Sequence, residues 1–209
     1  MAASTLADRS APTTTSLEDR IVDALLECVG RWGISKTTAE DIARAAGISR
    51  ATLYRAFPGG KEVVFEAVVR RETARLLTTI TARLETADSL EDAAVIGMVE
   101  AARFLTQHCA LSYLLAHEPE CVLPAFAFHR MDAALAVATA ATAPHLRRFV
   151  ADDEAAAAGA EWVVRLVLSY AVDPAPTLDL TAEADVRRFV RTYVLPALDR
   201  APTSPHQEP

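Results

Sequence analysis

Apolar residues recur along most of this chain at steps of three or four, which is the spacing of one face of an α-helix. The first such stripe contains Ile21, Leu25, Cys28 and Val29, and similar stripes follow as far as residue 194. No stretch has the pattern of two strands joined by a turn. The spacing therefore predicts an all-α protein with about nine or ten helices.

Short-range signals predict where these helices begin and end. Thr15 or Ser16 can cap the first helix, and Gly33 can end it. Thr37, with Glu40 three residues later, has the pattern of a capping box. The predicted helices span approximately residues 16–32, 37–46, 49–57, 61–86, 89–108, 111–116, 123–143, 152–170 and 183–199.

Three prolines predict where the later helices begin, end or bend. Pro124 suits the first turn of the helix that is predicted to begin at Leu123. Pro144 is expected to end that helix, because proline has no N–H group and its ring crowds the preceding turn. For the same reason Pro196 is expected to kink the last helix.

The segment from Thr37 to Phe57 consists of two short predicted helices joined by a tight turn at Gly47. Ser49 can cap the second helix, and Leu53 with Phe57 gives that helix one inward face. The side chains left to face elsewhere are those of Arg50, Thr52, Tyr54 and Arg55. Residues 42–61 contain no Asp or Glu, which favours contact with nucleic-acid phosphates. The alternative is an ordinary helical hairpin whose charges are only solvated.

The order and spacing of these residues resemble the N-terminal domain of the TetR/AcrR family of transcriptional regulators. The matching positions are Gly33, Thr37, Ile42, Ala43, Ala46, Gly47, Ile48, Ser49, Leu53, Tyr54, Phe57 and Lys61. The C-terminal half is similar mainly in its amphipathic pattern and its proline positions. There are two departures: Ala56 stands where an aromatic residue or histidine is common, and the turn at residues 58–60 is longer than usual. Because the turn is longer, the position of Lys61 relative to the DNA can differ from that of the family's equivalent lysine.

The resemblance implies a three-helix helix-turn-helix domain followed by a larger helical domain for ligand binding and dimerisation. It implies DNA contacts from Thr37, Thr38, Arg50, Thr52, Tyr54, Arg55 and Lys61. The two arginines of the second motif helix can bind guanine edges or phosphates, and Tyr54 and Lys61 suit phosphates. Double-stranded operator DNA is therefore the expected macromolecular partner.

The same resemblance implies a homodimer formed by the last two long helices. Their apolar stripes are expected to form the interface, through Trp162, Leu166, Tyr170, Phe189, Val190, Tyr193 and Val194. Two such helices from each subunit can pack as a four-helix bundle.

The C-terminal half also holds candidates for the lining of an apolar ligand pocket. These are Met98, Phe104, Tyr113, Phe126, His129 and Trp162. Plain core packing is the alternative for most of them. A small hydrophobic effector is expected as a partner, and its identity does not follow from the residues.

Catalytic and metal-binding patterns are not expected in this chain. There is no nucleophile elbow or glycine-rich phosphate loop. A metal site could be drawn from His108, Cys109, His117 and Cys121, but Pro119 interrupts the helix that would align the last two. We therefore predict that the protein is not an enzyme, has no cofactor and binds no metal.

Composition and charge agree with this organisation. The chain has 209 residues and a formal net charge of -7, and the acidic excess lies wholly after residue 70. No run of apolar residues is long enough for a membrane span, the start is not a secretory signal, and three cysteines form no even disulfide framework. A cytoplasmic protein with no membrane partner is expected.

The predicted organisation is a disordered arm (1–15), a helix-turn-helix domain (16–60), an effector-binding and dimerisation domain (61–200) and a disordered tail (201–209). The expected function is a ligand-responsive regulator, a repressor that a small hydrophobic effector releases from a palindromic operator. The alternative is a helical ligand-binding protein or enzyme with a vestigial helix-turn-helix.

Overall fold

The fold comes from a computed structural model, which describes residues 16–122, 129–172 and 177–198. Every regular element in these ranges is helical, so the predicted all-α class is confirmed. The α-helices are α1 (Leu17–Trp32), α2 (Ala39–Ala45), α3 (Arg50–Ala56), α4 (Lys61–Leu84), α5 (Leu90–Gln107), α6 (Cys109–His117), α7 (Pro119–Val122), α8 (His129–Leu146), α9 (Asp153–Val172), α10 (Glu183–Phe189) and α11 (Leu195–Leu198).

Local hydrogen bonds hold the ends of the first three helices where the sequence predicts them. The backbone N–H of Asp19 donates to Ser16 Oγ at 3.0 Å, which caps α1. Gly33 ends that helix at a φ of 83°, and Gly47 makes the turn between α2 and α3 at a φ of 65°. Both angles lie in the left-handed region that glycine adopts without strain. Ser49 Oγ caps α3 by accepting the N–H of Thr52.

The predicted capping box of α2 is wrong by one position. The N-cap is Thr38 and its reciprocal partner is Asp41, whereas Thr37 and Glu40 were predicted. Thr37 is instead 1% exposed, and its hydroxyl donates to the carbonyl oxygen of Gly33 at 2.6 Å. Two adjacent threonines offer the same cap in the sequence, and the burial of Thr37 decides which of them serves.

Two hydrophobic clusters form the interior. The first joins α1, α2 and α3 to the start of α4, with Ile21, Leu25, Ile42 and Leu53 fully buried. This cluster also includes Ala110 and Leu114 of α6, so the helix-turn-helix packs directly on a later helix. The second cluster joins the end of α4 to α5, α8, α9 and α10. The domain boundary at residue 60 stays a prediction.

Pro144 does not end its helix, which corrects the prediction for that residue. The helix α8 continues to Leu146, and the N–H of Arg147 still donates to Ala143 at 3.2 Å. Leu146 is buried in the second cluster, so packing favours one further turn beyond the proline. The predicted start at Leu123 and Pro124 lies outside the described residues.

The interruption expected near Pro196 takes the form of a π-helical turn. Residues Val190–Val194 lie between α10 and α11, and the N–H of Leu195 donates to the carbonyl of Val190, five residues earlier. Proline lacks an N–H group and crowds the carbonyl four residues before it. Single π turns of this kind occur inside α-helices. Here the π turn lies immediately before the helical segment that contains Pro196.

Candidate nucleic-acid interface and interior cavity

Helix α3 presents one apolar face inward and one polar face outward. Leu53 is fully buried in the first cluster, whereas Arg50, Tyr54 and Arg55 are exposed. The Arg50 guanidinium lies 5.4 Å from the centre of the Tyr54 ring. The structure therefore brings three of the seven predicted DNA-contact residues onto one exposed helix face.

Tyr54 also lies against the beginning of α4. Gly60 precedes that helix at a φ of 71°, and a Cβ atom there would be 3.0 Å from Tyr54 Cε1 and 3.4 Å from the hydroxyl oxygen. No side chain caps the first turn of α4. The tyrosine hydroxyl and the free N–H groups of α4 are thus close together, an arrangement suited to one phosphate group.

Two predicted DNA-contact residues have hydrogen bonds inside the protein; this corrects the prediction for Thr37, whereas Lys61 keeps two further N–H donors and its contact stays a prediction. Thr37 is buried, and its hydroxyl donates to Gly33, so it is not available to a phosphate. Lys61 is half-buried and its Nζ donates to the carbonyl of Ile34 at 3.1 Å. Both side chains hold the loop between α1 and α2 in place.

The two remaining predicted contacts, Thr38 and Thr52, have hydroxyl groups with local partners. Thr38 is exposed, and its Oγ1 donates to Asp41 as part of the cap of α2. Thr52 Oγ1 lies 2.8 Å from Ser49 Oγ at the cap of α3. Each has acceptor capacity left for a further hydrogen bond.

The positive charge of this region is smaller than its composition indicates. The Arg44 guanidinium pairs with Glu40 at 3.3 Å and with Asp41 at 3.2 Å, so acidic residues of α2 neutralise it. Lys36, which the motif did not single out, is exposed in the loop before α2. Arg50 and Arg55 carry the positive charge of α3 itself.

An interior cavity of about 380 Å³ lies among α1, α4, α5, α6, α8 and α9. This volume is within the range of small-molecule sites, about 300–1,000 Å³. Its walls are mostly apolar, with Leu76, Leu77, Phe104, Leu111 and Val163 among the larger lining residues. The chain thus has room for a small apolar ligand.

Of the predicted pocket residues whose side chains are described, Phe104 alone lines this cavity. Met98 is fully buried in the second cluster, so it belongs to the core. Tyr113 packs on His117 with ring centres 4.6 Å apart, and Trp162 packs against the outside of the second cluster. Phe126 and the side chain of His129 lie outside what the structure describes. Helical spacing predicted the apolar faces but not which of them border empty space.

One end of the cavity wall is polar. Glu72 of α4 is 7% exposed and accepts hydrogen bonds from Arg71 Nε at 3.1 Å and Arg75 at 3.0 Å. His108, between α5 and α6, lines the cavity beside it, with Nε2 at 3.6 Å from Glu72 Oε2. No local sequence pattern predicts this pair, because its members are brought together only by the packing of α4 on α5.

A second buried carboxylate connects the cavity region to the helix-turn-helix. Glu118, between α6 and α7, is 8% exposed, and its Oε2 accepts the N–H groups of Ile34 at 2.8 Å and Ser35 at 3.2 Å. Leu114 and Cys121, on either side of Glu118, line the cavity. The α6–α7 segment therefore contacts both the cavity and the loop that precedes α2.

The predicted dimer stripe divides into buried and exposed residues. Val190 and Val194 are fully buried in the core of the single chain, so they were wrong as interface residues. Phe189 packs edge-on against Tyr170 with ring centres 5.9 Å apart, and at 5.2 Å from Tyr193, which is 62% exposed. Trp162 and Leu166 are half-buried on α9. Phe189 and Tyr193 therefore lie on a different side of the terminal helix from Val190 and Val194.

Among the described residues, no three His, Cys, Asp or Glu side chains are arranged to hold a metal ion. Within the same part of the chain, no helix is both long and apolar enough to cross a membrane.

Residues 21–68 match the family model of bacterial regulatory proteins of the tetR family. An HTH-type transcriptional regulator of Mycobacterium tuberculosis, MT1294, is 31% identical over an aligned length of 196 residues, and the alignment covers 92% of this chain and 90% of that protein. This chain belongs to the TetR family. Family members are DNA-binding transcriptional regulators and not enzymes, which decides against the alternative of an enzyme with a vestigial motif.

Solved structures of other TetR-family proteins share the fold. The repressor AlkX from Dietzia has a TM-score of 0.65 and 19% identity, covering 93% of this chain and 99% of that one. A SmeT–triclosan complex has a TM-score of 0.56 and 21% identity, covering 92% and 99% of the two chains. The similarity supports the same all-α architecture, with the helix-turn-helix at the N-terminus.

Proposed function

We propose that this TetR-family protein is a homodimeric repressor that a small apolar effector releases from a palindromic operator. The cavity residues of the α6–α7 segment and the Glu118 contact with Ile34 carry this proposal, because they give a bound molecule a direct route to the helix-turn-helix. Two neighbours support the analogy: AlkX is a repressor, and SmeT forms a complex with triclosan.

The proposed DNA contact is made by α3. Arg50 and Arg55 are exposed on its outer face and bind base edges or phosphates in the major groove. Tyr54 and the beginning of α4 bind one phosphate. Thr38, Thr52 and Lys36 are secondary candidates for phosphate contacts.

The proposed dimer joins the partly buried aromatic residues of α9 and the exposed Tyr193 across a two-fold axis. Two helix-turn-helix domains about 34–36 Å apart then reach successive major grooves, which explains a palindromic operator. A ligand changes DNA affinity only as far as it favours one separation of the two domains over another. Glu118 and helix α4 both contact the loop between α1 and α2. These contacts link the cavity to the distance between the two helix-turn-helix domains.

The experiment is a fluorescence anisotropy titration of the protein with duplexes from its own upstream DNA, with and without a panel of apolar compounds. We expect specific binding that an active compound weakens about fivefold or more, equivalent to about 1–3 kcal/mol of coupling. Phe104→Ala, on the cavity wall, should reduce that response and spare binding in its absence.

Glu118→Ala and Glu118→Gln make a matched pair for the coupling route. The alanine removes Oε2, the one oxygen that accepts the N–H groups of both Ile34 and Ser35, whereas glutamine keeps one carbonyl oxygen as an acceptor. We expect the alanine variant to bind the compound but to show a smaller change in DNA affinity. An unchanged response in a folded Glu118→Ala protein would contradict this route.

A further inference from the structure

The cavity has one polar end, and its chemistry restricts the ligand. Apart from Glu72 and His108, the polar wall residues include Thr73 and Thr142, and the Thr142 hydroxyl already donates to Ala138 at 2.8 Å. The remaining wall is largely apolar. A ligand that fills this space must therefore be apolar over most of its length, with its polar group near Glu72 and His108.

The tautomer of the neutral His108 ring follows from its position as the cap of α6. Its Nδ1 accepts the backbone N–H of Leu111 at 3.2 Å, so Nδ1 carries no proton. In a neutral imidazole the proton is then on Nε2, which is a hydrogen-bond donor. That donor lies 3.6 Å from Glu72 Oε2, too far for a direct hydrogen bond.

Glu72 has acceptor capacity left over. A carboxylate offers about four lone-pair sites, and Arg71 and Arg75 use one on each oxygen. The two arginine side chains are not on the cavity wall, so the group that a ligand meets is the carboxylate. Arg75 pairs with Glu72, and Arg71 divides its charge between Glu72 and Asp23. A further buried charge would be costly without its own partner.

We propose that the cavity selects an uncharged, largely apolar molecule that carries a hydroxyl group. A hydroxyl on the cavity side of the pair, at hydrogen-bond distance from both atoms, donates to Glu72 and accepts from His108 Nε2, and so bridges the two side chains. A ligand carboxylate has no proton to donate to the Glu72 carboxylate, so the two negative charges repel each other. A ligand ammonium adds a third cation beside Glu72 and faces the N–H of His108. This inference rests on the proposed effector site and names its ligand class.

The test uses four probes built on a ten-carbon chain: decanol, decyl methyl ether, decanoate and decylammonium. Isothermal titration calorimetry with the full-length protein measures the dissociation constant of each at neutral pH. We expect decanol to bind at least about tenfold more tightly than the ether, because the ether cannot donate to the charged Glu72. The two charged probes should also bind at least about tenfold more weakly than decanol.

Variants identify the residues responsible. Glu72→Gln should reduce the preference for decanol over decanoate by about tenfold, because the opposing charge is removed. His108→Asn keeps a residue able to cap α6 and should weaken decanol about two- to tenfold through the lost Nε2 donor. Glu66→Gln, an exposed glutamate on the same helix, is the matched control and should bind all four probes as the unaltered protein does.

The outcomes separate this inference from the proposed function. Equal affinity for decanol and its methyl ether, tighter binding of either charged probe, or no binding of decanol overturns the inference, even if Glu72→Gln folds poorly. Anisotropy with operator DNA is measured independently. Tight binding of decanol that leaves DNA affinity unchanged would support the ligand class and refute release by this effector.

Discussion

Thr37 and Thr38 are neighbours with the same side chain and opposite surroundings. Thr37 is buried and donates its hydroxyl proton to Gly33, whereas Thr38 is exposed and caps α2. At the residue scale, an apparent DNA-contact residue can therefore be a structural one. We therefore expect a substitution at Thr37 to lower stability, whereas Thr38 remains a candidate for a DNA contact.

Thr37→Val should destabilise the protein without removing a direct DNA contact. The isosteric valine leaves the Gly33 carbonyl without its 2.6 Å partner in a buried site. The free energy of unfolding should fall by about 1–3 kcal/mol, as measured by urea denaturation. Thr37→Ser keeps the hydroxyl and is the matched control. If Thr37→Val had normal stability but bound the operator more weakly, the structural role would be contradicted and a direct DNA contact by Thr37 supported.

Arg50→Ala should weaken specific DNA binding, because Arg50 is exposed on the outer face of α3. The loss should be about 1–3 kcal/mol and should relax one operator position if the contact is to a base. Anisotropy titrations against single-base operator variants measure both effects. Arg147→Ala, in the turn after α8, is the control. A folded Arg50→Ala protein with unchanged affinity and specificity would exclude the contact.

At the scale of elements, a group of ion pairs fastens α10 to the beginning of α5. Arg187 donates to Glu91 and to Asp92, each at 2.8 Å, and Arg191 donates to Glu91 at 2.9 Å. The hydrogen bond from Arg191, with that from Arg187, lowers the pKa of Glu91 below its ordinary value. The bonds from Arg187 and Ser89 likewise lower the pKa of Asp92. Partial exposure of all these groups limits the energy of each pair.

These pKa shifts predict an acid-dependent stability that Arg187→Met should reduce. Because the folded pKa values are lowered, the stabilisation is present above the ordinary values of 4.5 for Glu91 and 3.8 for Asp92. It is lost as the pH falls from there through the lowered values, since the unfolded chain binds more protons in that window. The variant should be less stable at neutral pH, with a difference from the unaltered protein that shrinks in acid.

Urea denaturation at a series of pH values measures this dependence. Arg188→Met is the control, because Arg188 is 70% exposed and pairs with Asp185 on its own helix. Parallel stability curves for Arg187→Met and the unaltered protein across the acid window would contradict the assigned cause.

At the scale of the whole molecule, Tyr193 is 62% exposed beside the partly buried Phe189 and Tyr170, and the proposed dimer interface covers this aromatic cluster. Tyr193→Glu should shift the protein from dimer to monomer, because a charge would be buried without a partner in the proposed interface. Light scattering after size-exclusion chromatography at micromolar concentration measures the mass. Val137→Glu, at another exposed apolar residue on α8, should leave the mass unchanged. A mass unaffected by Tyr193→Glu would remove this residue from the interface.

Local signals in the sequence were enough to predict much of the fold. The helical class, the caps at Ser16 and Ser49 and the glycine turns at Gly33 and Gly47 depend on residues within about one helical turn of one another. The outward face of α3 could be predicted for the same reason, since Leu53 defines the inward side. The exposure of Arg50, Tyr54 and Arg55 follows from that periodicity.

Tertiary packing alone decided which of the candidate residues are free. Glu118 holds the N–H of Ile34 across 84 positions of sequence, and Lys61 holds the carbonyl of the same residue. The burial of Val190, the absence of Met98 from the cavity wall and the pairing of Glu72 with His108 likewise depend on helices distant in sequence. Periodicity identifies an apolar face, but the neighbour that covers it, or the empty space beside it, is determined only when the helices pack.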